Sequence, residues 1–283
     1  MLSDAFLQRL DALRIALRAP AQGGAGGLRR SKALGTSVEF SDFREYAPGD
    51  DLRRLDWNAY ARFDRLFLKL FMEEQETQVN ILLDDSASMD GPKWDLAQGL
   101  AQMLCYLALR GGDRVTLYAL SAGLRSPSLS GRAGMLRASE FLEGLAPAGE
   151  TRLCQAVPRL ALRPGRGVTA LITDLMSPDG YETALASLQY RKQETTLLHV
   201  LSPEEMAPAL EGMVQLIDSE TGESRELHIS GDLLSAYHRA LEELLTGAES
   251  CCHKREMTYL RLTSDMALET EALRALSRAG LIQ

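Results

Sequence analysis

Several features that define common protein classes are scarce in this chain of 283 residues. It has four cysteines and no Cys-x-x-Cys pair, which excludes a dense disulfide framework and the usual zinc ribbon. The adjacent pair Cys251-Cys252, followed by His253, has poor spacing for a tetrahedral zinc site. We therefore interpret the cysteines as reduced thiols of a cytosolic protein.

Long apolar runs and an excess of basic residues are also missing. No run approaches the ~18–20 apolar residues that cross a bilayer, and the first residues lack the pattern of a signal peptide. The 31 basic and 39 acidic residues give a net charge of -8, which disfavours electrostatic capture of nucleic acid or anionic lipid. We expect a soluble, cytoplasmic protein with no membrane span and no nucleic-acid partner.

Familiar catalytic motifs are absent from the sequence as well. There is no Walker motif, no Gly-x-Ser-x-Gly elbow and no His-Glu-x-x-His sequence. The four histidines are scattered and receive no catalytic role: His199, His228, His238 and His253. These absences favour a protein that is not an enzyme.

Short apolar runs alternate with helical periodicity through most of the chain. With 45% hydrophobic residues the chain can bury a large core, and the alternation predicts an α/β fold with a doubly wound, mostly parallel sheet flanked by helices. Strands are predicted at 66–72, 79–84, 115–120, 168–173, 195–201 and 257–262, and helices at 93–110, 132–144, 151–160, 179–190, 231–247 and 266–279. A short edge strand is predicted at 124–129, and a hairpin on the sheet edge at 213–218 and 225–229.

Residues 1–74 are predicted to form a small N-terminal accessory segment, separate from a domain at 75–283. Ser3 begins a helix, and a glycine run at 23–27 follows it as a flexible link, since no strand precedes the run and no Gly-Lys-Ser/Thr follows. Residues 36–62 mix charges with aromatics, which predicts guanidinium groups paired with carboxylates. That segment is either an ion-pair network bracing two elements or a recognition surface.

Two predicted strands end in carboxylates. The run 79–83 is followed by Asp84, with Ser86 and Ser88 at alternate positions beyond it, and the run 168–173 is followed by Asp174. Because carboxyl ends of parallel strands share one edge, where ligands of doubly wound sheets bind, these groups form the candidate site. Oxygen ligands of this kind suit a hard cation such as Mg²⁺. The alternative is a Ser/Asp turn that caps the next helix.

With Thr151 added, the Asp-x-Ser-x-Ser loop and Asp174 resemble the metal-ion-dependent adhesion site of a von Willebrand factor type A domain. The resemblance covers about residues 75–283 and implies that Asp84, Ser86, Ser88, Thr151 and Asp174 hold Mg²⁺, or Mn²⁺ or Ca²⁺. Two departures concern glycines: Glu150 stands before the threonine and Leu175 after the aspartate, where many such domains have glycine.

A narrower resemblance lies in residues 39–57, EFSDFREYAPGDDLRRLDW, followed by Ala61-Arg62. This segment is similar to the signature of the bacterial domain-of-unknown-function family 58, in which it precedes a von Willebrand A-like domain. Members are commonly encoded beside MoxR-type AAA+ ATPases, so the resemblance implies a role in chaperone-like assembly or maturation of protein complexes. Some members carry membrane helices before the signature, and this sequence resembles the soluble members.

Together these observations predict a protein-interaction module. Neutral hydroxyls and at most two carboxylates leave a bound Mg²⁺ electrophilic, so it can accept a carboxylate from a protein partner, either a MoxR-type ATPase or its client. One alternative is a Mg²⁺-dependent phosphatase-like hydrolase with Asp84 as nucleophile. Such enzymes need a carboxylate two positions on, where this chain has Ser86. Another is a structural scaffold with a vestigial metal site.

Overall fold

A computed structural model describes residues 3–16, 34–47, 50, 55–63, 65–72, 77–163 and 167–283. It divides the chain into two units, one made of Met1–Arg18 with Thr77–Gln283 and the other of Ala19–Glu76. The predicted flexible link at 23–27 lies outside the described residues. Within the described ranges, no helix combines the length and apolarity that crossing a membrane requires.

The smaller unit is built on an antiparallel strand pair. Strand β1 (Leu34–Glu45) pairs with β2 (Phe67–Met72), and helix α2 (Trp57–Phe63) lies between them in the chain. The Arg44 guanidinium lies 2.7 Å from the Asp50 carboxylate, which is an ion pair of the predicted kind. Strand β2 was predicted, but β1 and α2 were not, since mixed charges and aromatics hide their periodicity.

The larger unit carries the remaining elements. Its strands are β3 (Gln78–Leu83), β4 (Arg114–Ala119), β5 (Leu124–Arg125), β6 (Gly167–Thr173), β7 (Glu194–Leu201), β8 (Gly212–Ile217), β9 (Ser224–Ile229) and β10 (Thr258–Thr263). Its helices are α1 (Asp4–Leu10), α3 (Pro92–Arg110), α4 (Gly131–Glu143), α5 (Leu153–Arg159), α6 (Glu182–Tyr190), α7 (Pro203–Met206), α8 (Gly231–Lys254) and α9 (Leu273–Arg278), with a π turn at Leu268–Ala272 before α9. Most of these elements match the predicted ones to within a few residues.

The central sheet has six strands in the order β10-β7-β6-β3-β4-β5. All neighbours are parallel except β5, which runs antiparallel to β4, so the predicted α/β fold with a mostly parallel sheet is confirmed. The predicted hairpin is present as β8 and β9, but its placement on the sheet edge was wrong. It forms a separate two-stranded sheet, and β5 and β10 occupy the two edges of the central sheet.

Helices cover both faces of this sheet. Along β3, Ile81 belongs to one buried cluster and Leu82 to the other, because successive side chains of a strand point to opposite faces. The first cluster includes residues of α1, α3, α4 and α9, and the second includes residues of α5, α6 and α8. The sheet is therefore a buried layer between two layers of helices.

Helix α1 belongs to the larger unit, although the N-terminal segment was expected to contain it. The Ser3 hydroxyl accepts a hydrogen bond from the Phe6 amide, and the side chains of Phe6 and Leu10 are fully buried in the first cluster. The helix ends at Leu10, and Ile15 then forms a β-bridge with Ile282 near the other end of the chain.

The strand order reverses between β3 and β6. From β3 the chain moves to β4 and β5 on one side, and then returns to β6, β7 and β10 on the other. A crevice opens at the carboxyl ends of strands where the connections diverge in this way. Asp84 and Asp174 follow the two strands that flank this point.

We predict that Leu100→Ala, in α3, lowers the free energy of unfolding by about 2–5 kcal/mol, because the side chain is fully buried and its loss leaves a cavity. Leu136→Ala, in α4, is the matched control, since its side chain is 69% exposed, and it should change stability by about 0.5 kcal/mol or less. Urea unfolding of the full chain measures both. Equal effects of the two substitutions would contradict this description of the core.

Candidate metal centre

The loop that follows β3 is closed by hydrogen bonds around Asp84. One carboxylate oxygen of Asp84 accepts from the Ser86 amide at 3.1 Å and from the Ser86 hydroxyl at 2.8 Å, and the Ser86 and Ser88 hydroxyls lie 3.0 Å apart. The other oxygen accepts from the Thr173 hydroxyl at 2.6 Å. The structure therefore brings together the three predicted loop residues and adds Thr173, which the sequence analysis did not select.

Asp85 is turned away from this cluster. Its carboxylate accepts from the backbone amides of Ser121 at 2.6 Å and Ala122 at 3.2 Å, which fixes the loop after β4. Successive side chains of an extended chain point to opposite sides. The Asp84 carboxylate therefore faces the candidate site, and the Asp85 carboxylate faces the loop after β4.

Thr151 reaches the site on a second loop. The Ala87 amide donates to the Gly149 carbonyl at 2.9 Å, which holds this loop beside the first. Thr151 is 2% exposed, and its buried hydroxyl oxygen has no hydrogen-bond partner within the described part of the chain, although it lies close enough to Asp84 to lower the pKa of that carboxyl. A buried hydroxyl in this state costs about 1–3 kcal/mol unless a ligand satisfies it.

Asp174 follows β6 and is also buried. One carboxylate oxygen accepts from the Met176 amide at 2.9 Å, and the other accepts from the Lys93 ammonium at 2.8 Å. Lys93 also forms an ion pair with Glu205, from helix α7. The ammonium therefore neutralises part of the acidic cluster from within the chain.

Lys93 is a residue of the candidate site that sequence reasoning missed. It lies in the first turn of α3, next to Pro92, where the positive end of the helix dipole disfavours a cation. A lysine in the first turn of a helix that directly follows an acidic loop is a sequence pattern that could have identified it. The carboxylates of Asp174 and Glu205 face this ammonium and account for its position.

Charge balance in the site leaves Asp84 uncompensated. Burial raises the pKa of Asp84, and the nearby Asp174 carboxylate raises it further, while the neighbouring Thr151 hydroxyl and the hydrogen bonds from Thr173 and Ser86 lower it. Burial lowers the pKa of Lys93, but the carboxylates of Asp174 and Glu205 outweigh this effect and raise it, so the ammonium stays charged. A cation beside Asp84 would offset the remaining desolvation cost.

The donor set fits a hard divalent cation. Carboxylates of Asp84 and Asp174 and hydroxyls of Ser86, Ser88 and Thr151 offer oxygen only, as Mg²⁺ prefers. In the described part of the chain, no three His, Cys, Asp or Glu side chains form a metal cluster, so a cation here depends on the hydroxyls. The unpartnered Thr151 hydroxyl is the atom that a cation would satisfy.

Leu175, which stands where many von Willebrand A domains have glycine, carries backbone strain. It adopts a left-handed conformation, with φ of 60°, which costs a non-glycine residue about 1–2 kcal/mol. Its amide donates to the Thr173 hydroxyl at 3.0 Å, and its side chain is only 3% exposed. Burial of a leucine contributes about 1.5–3 kcal/mol, so packing offsets the strain and the turn after Asp174 is retained.

The His199 ring, on β7, is hydrogen-bonded to the backbone of Asp174. One ring nitrogen, Nε2, lies 2.9 Å from the Asp174 carbonyl, and Nδ1 lies 2.9 Å from the Tyr259 hydroxyl. A carbonyl only accepts, so Nε2 carries the proton, and the neutral ring accepts from Tyr259 at Nδ1. Burial lowers the pKa of His199 to about 4, which keeps the ring neutral at physiological pH.

We predict that His199 makes the fold sensitive to acid. The unfolded chain binds a proton near pH 6.5 and the folded chain only near pH 4, so stability falls by about 3 kcal/mol as pH drops between these values. In His199→Gln this contribution disappears, and in the exposed control His228→Gln it remains. Urea unfolding of the three proteins with a chelator, from pH 7 to pH 4, measures the difference. Parallel pH profiles for wild type and His199→Gln would contradict it.

Comparison with solved structures finds remote similarity to several chains, including two bacterial proteins. BatB from Bacteroides thetaiotaomicron is 15% identical, and an aerotolerance-related membrane protein from Bacteroides fragilis is 18% identical. Each superposes with a TM-score of 0.42 and covers 72% of this chain and 98% of its own.

Sequence comparison gives a firmer relationship. Uncharacterized protein Rv1480 of Mycobacterium tuberculosis and Uncharacterized protein Mb1516 of Mycobacterium bovis are each 32% identical over 219 residues, covering 73% of this chain and 68% of the relative. The family described as "Protein of unknown function DUF58" matches residues 42–244. The resemblance of the 39–57 segment to that family is thereby confirmed, and the chain belongs to it.

Proposed function

We propose that this protein is a non-enzymatic interaction module that binds a divalent cation, Mg²⁺ first among candidates, and uses it to hold a carboxylate of a protein partner. The cation is bound by Asp84, Ser86, Ser88, Thr151 and Asp174. The observation that carries this proposal is the Thr151 hydroxyl, which is buried beside Asp84 and has no hydrogen-bond partner among the residues that the structure describes.

The arrangement of loops supports a site of the von Willebrand A type. Asp84 and Asp174 follow the two strands that flank the reversal of strand order, and Thr151 comes from a third loop bound to the first. Ser177, after Asp174, donates to the Thr151 carbonyl at 3.0 Å, so all three loops are joined. Five donors from three loops leave a six-coordinate Mg²⁺ with a position for an outside ligand.

The partner we propose is a protein with an exposed Asp or Glu side chain. The family resemblance points to a MoxR-type AAA+ ATPase or one of its clients, and to a role in chaperone-like assembly or maturation of protein complexes. A metal-bridged contact makes such binding dependent on the cation and lets a change of ligand shift the adjacent loops.

A structural scaffold is the rival with an observation in its favour. Both oxygens of Asp174 already accept hydrogen bonds, from Met176 and Lys93, so this residue is satisfied by the chain itself. Lys93 does not satisfy the Thr151 hydroxyl, however, and among the described residues the hydrogen bonds to Asp84 come from no cationic group. Those two groups distinguish a working cation site from a vestigial one.

We predict that Thr151→Val distinguishes a cation-binding site from a structural scaffold. Without metal, the variant should be as stable as wild type or about 1 kcal/mol more stable, since an unsatisfied buried hydroxyl is replaced by a methyl group. With Mg²⁺ at about 100 times its Kd, wild type should gain about 2.7 kcal/mol, and the variant distinctly less.

The control for this experiment is Thr195→Val. Thr195 is buried at the start of β7, the end away from the site, where its hydroxyl donates to the Gln193 carbonyl at 3.3 Å. This variant should lose a little stability but keep the full response to Mg²⁺. Chemical unfolding of each protein in a chelator and in MgCl₂ gives both quantities. A wild type that Mg²⁺ does not stabilise would support the scaffold instead.

The partner is tested with Asp84→Asn, which removes the charge of the central ligand and keeps its shape. Purified MoxR-type ATPase should be retained by immobilised wild type in MgCl₂, released by a chelator, and not retained by the variant. Retention of the ATPase by Asp84→Asn at wild-type levels would overturn the metal bridge. Exposed Asp90→Asn, beyond the same loop, is the control that should bind as wild type does.

A further inference from the structure

The Lys93 ammonium contacts two carboxylates that come from different loops. It donates to Asp174, after β6, at 2.8 Å, and it also donates to Glu205, after β7. The Lys93 side chain is 6% exposed, that of Asp174 1% and that of Glu205 25%. Charges this far from water are screened weakly, so they act on groups beyond their own partners.

Glu205 is held in place by the start of helix α7. One of its carboxylate oxygens takes the Lys93 ammonium, and the other accepts from the Ser202 amide at 2.7 Å. The Glu205 amide donates to the Ser202 hydroxyl at 3.1 Å, which completes a capping box. The Tyr237 hydroxyl, on α8, donates to the Glu205 carbonyl at 2.7 Å. The position of this acid therefore does not depend on Lys93 alone.

Asp174 connects this pair of charges to the candidate metal centre. Its carboxylate is a proposed cation ligand, and the same carboxylate accepts from the Lys93 ammonium. A cation that contacts Asp174 approaches an acid which already has a positive charge beside it. Since like charges repel, Lys93 opposes the cation, and Glu205 offsets part of that opposition because it contacts the same ammonium with the opposite charge.

We propose that Lys93 and Glu205 set the cation affinity of the site: Lys93 is a resident positive charge that weakens binding, and Glu205 restores part of the affinity by cancelling that charge. This inference rests on the proposed function and names two residues that regulate its site. Neither residue is a ligand, and both act through Asp174.

This arrangement gives the partner carboxylate a larger share in holding the cation. The Lys93 charge cancels part of the negative charge that the chain offers, so a carboxylate from outside adds proportionally more. Binding of the cation and binding of the partner then strengthen each other, and by linkage the effect is the same in both directions.

Calorimetric titration of the full chain with MgCl₂ compares wild type, Lys93→Met, Glu205→Gln and the double variant. Mg²⁺ affinity should rise by about tenfold in Lys93→Met, because a repelling charge is lost, and fall by about tenfold in Glu205→Gln, because the ammonium is less compensated. Glutamine at 205 still suits the capping box. The double variant removes one charge of each sign and should lie near wild type.

Stability in a chelator separates a charge effect from structural damage. Both single variants should unfold at lower urea concentration than wild type, since each leaves a buried charge without one partner. Damage to the site would therefore move both affinities downward, whereas the proposal requires them to move in opposite directions.

Two control variants remove the same charges from other places on the same helices. Arg110→Met removes a cation from the far end of α3, where it pairs with Asp11 in an exposed ion pair. Glu204→Gln removes the exposed acid next to Glu205 in α7. Both should bind Mg²⁺ as wild type does.

The possible results distinguish this proposal from the one on which it rests. Mg²⁺ affinity that falls in both single variants, or keeps the wild-type value in both, overturns the role of the two charges and leaves the cation site in place. If Lys93→Met does not fold, weaker binding by Glu205→Gln with recovery in the double variant supports the proposal, and no recovery overturns it. A wild type that takes up no Mg²⁺ overturns the interaction module and its regulation together.

Discussion

The burial of a carboxylate at the end of β3 is the constraint on which the rest of the site depends. Asp84 is 2% exposed, and leaving it there as an anion is expensive unless it is hydrogen-bonded and neutralised. Ser86 and Thr173 supply the hydrogen bonds. None of these donors supplies a charge. A proton, which the raised pKa of Asp84 favours, or a cation can neutralise this carboxylate, and a cation would also give the neighbouring Thr151 hydroxyl a partner.

The sheet topology determines which groups meet Asp84. Because β3 and β6 are adjacent and the chain leaves them in opposite directions, the loops after both strands open into one crevice. The backbone bond from Ala87 to Gly149 brings a third loop to the same place. The loop after β6 keeps its left-handed turn at Leu175, because burial of the leucine side chain offsets the backbone strain.

The sequence predicted the parts of the fold that local pattern encodes. Strands β3 and β6 are apolar runs that end in aspartate, so their identity and the meeting of Asp84 with Asp174 followed from elementary rules of parallel sheets. Lys93 and Thr173 were missed, because each reaches Asp174 or Asp84 through a tertiary contact that no periodicity records. The hairpin was predicted, but its position off the central sheet was not, since alternating polarity does not identify the neighbouring strand.

Lys93 supplies positive charge to one side of this edge. Its ammonium, in the first turn of α3, pairs with the carboxylates of Asp174 and Glu205, which joins the start of the helix to the sheet edge and to α7. Within the described residues, the hydrogen bonds to the Asp84 carboxylate come from Ser86 and Thr173, which are neutral. The proposed divalent cation would therefore add positive charge on the Asp84 side, where these donors supply none, and would share the Asp174 carboxylate with Lys93.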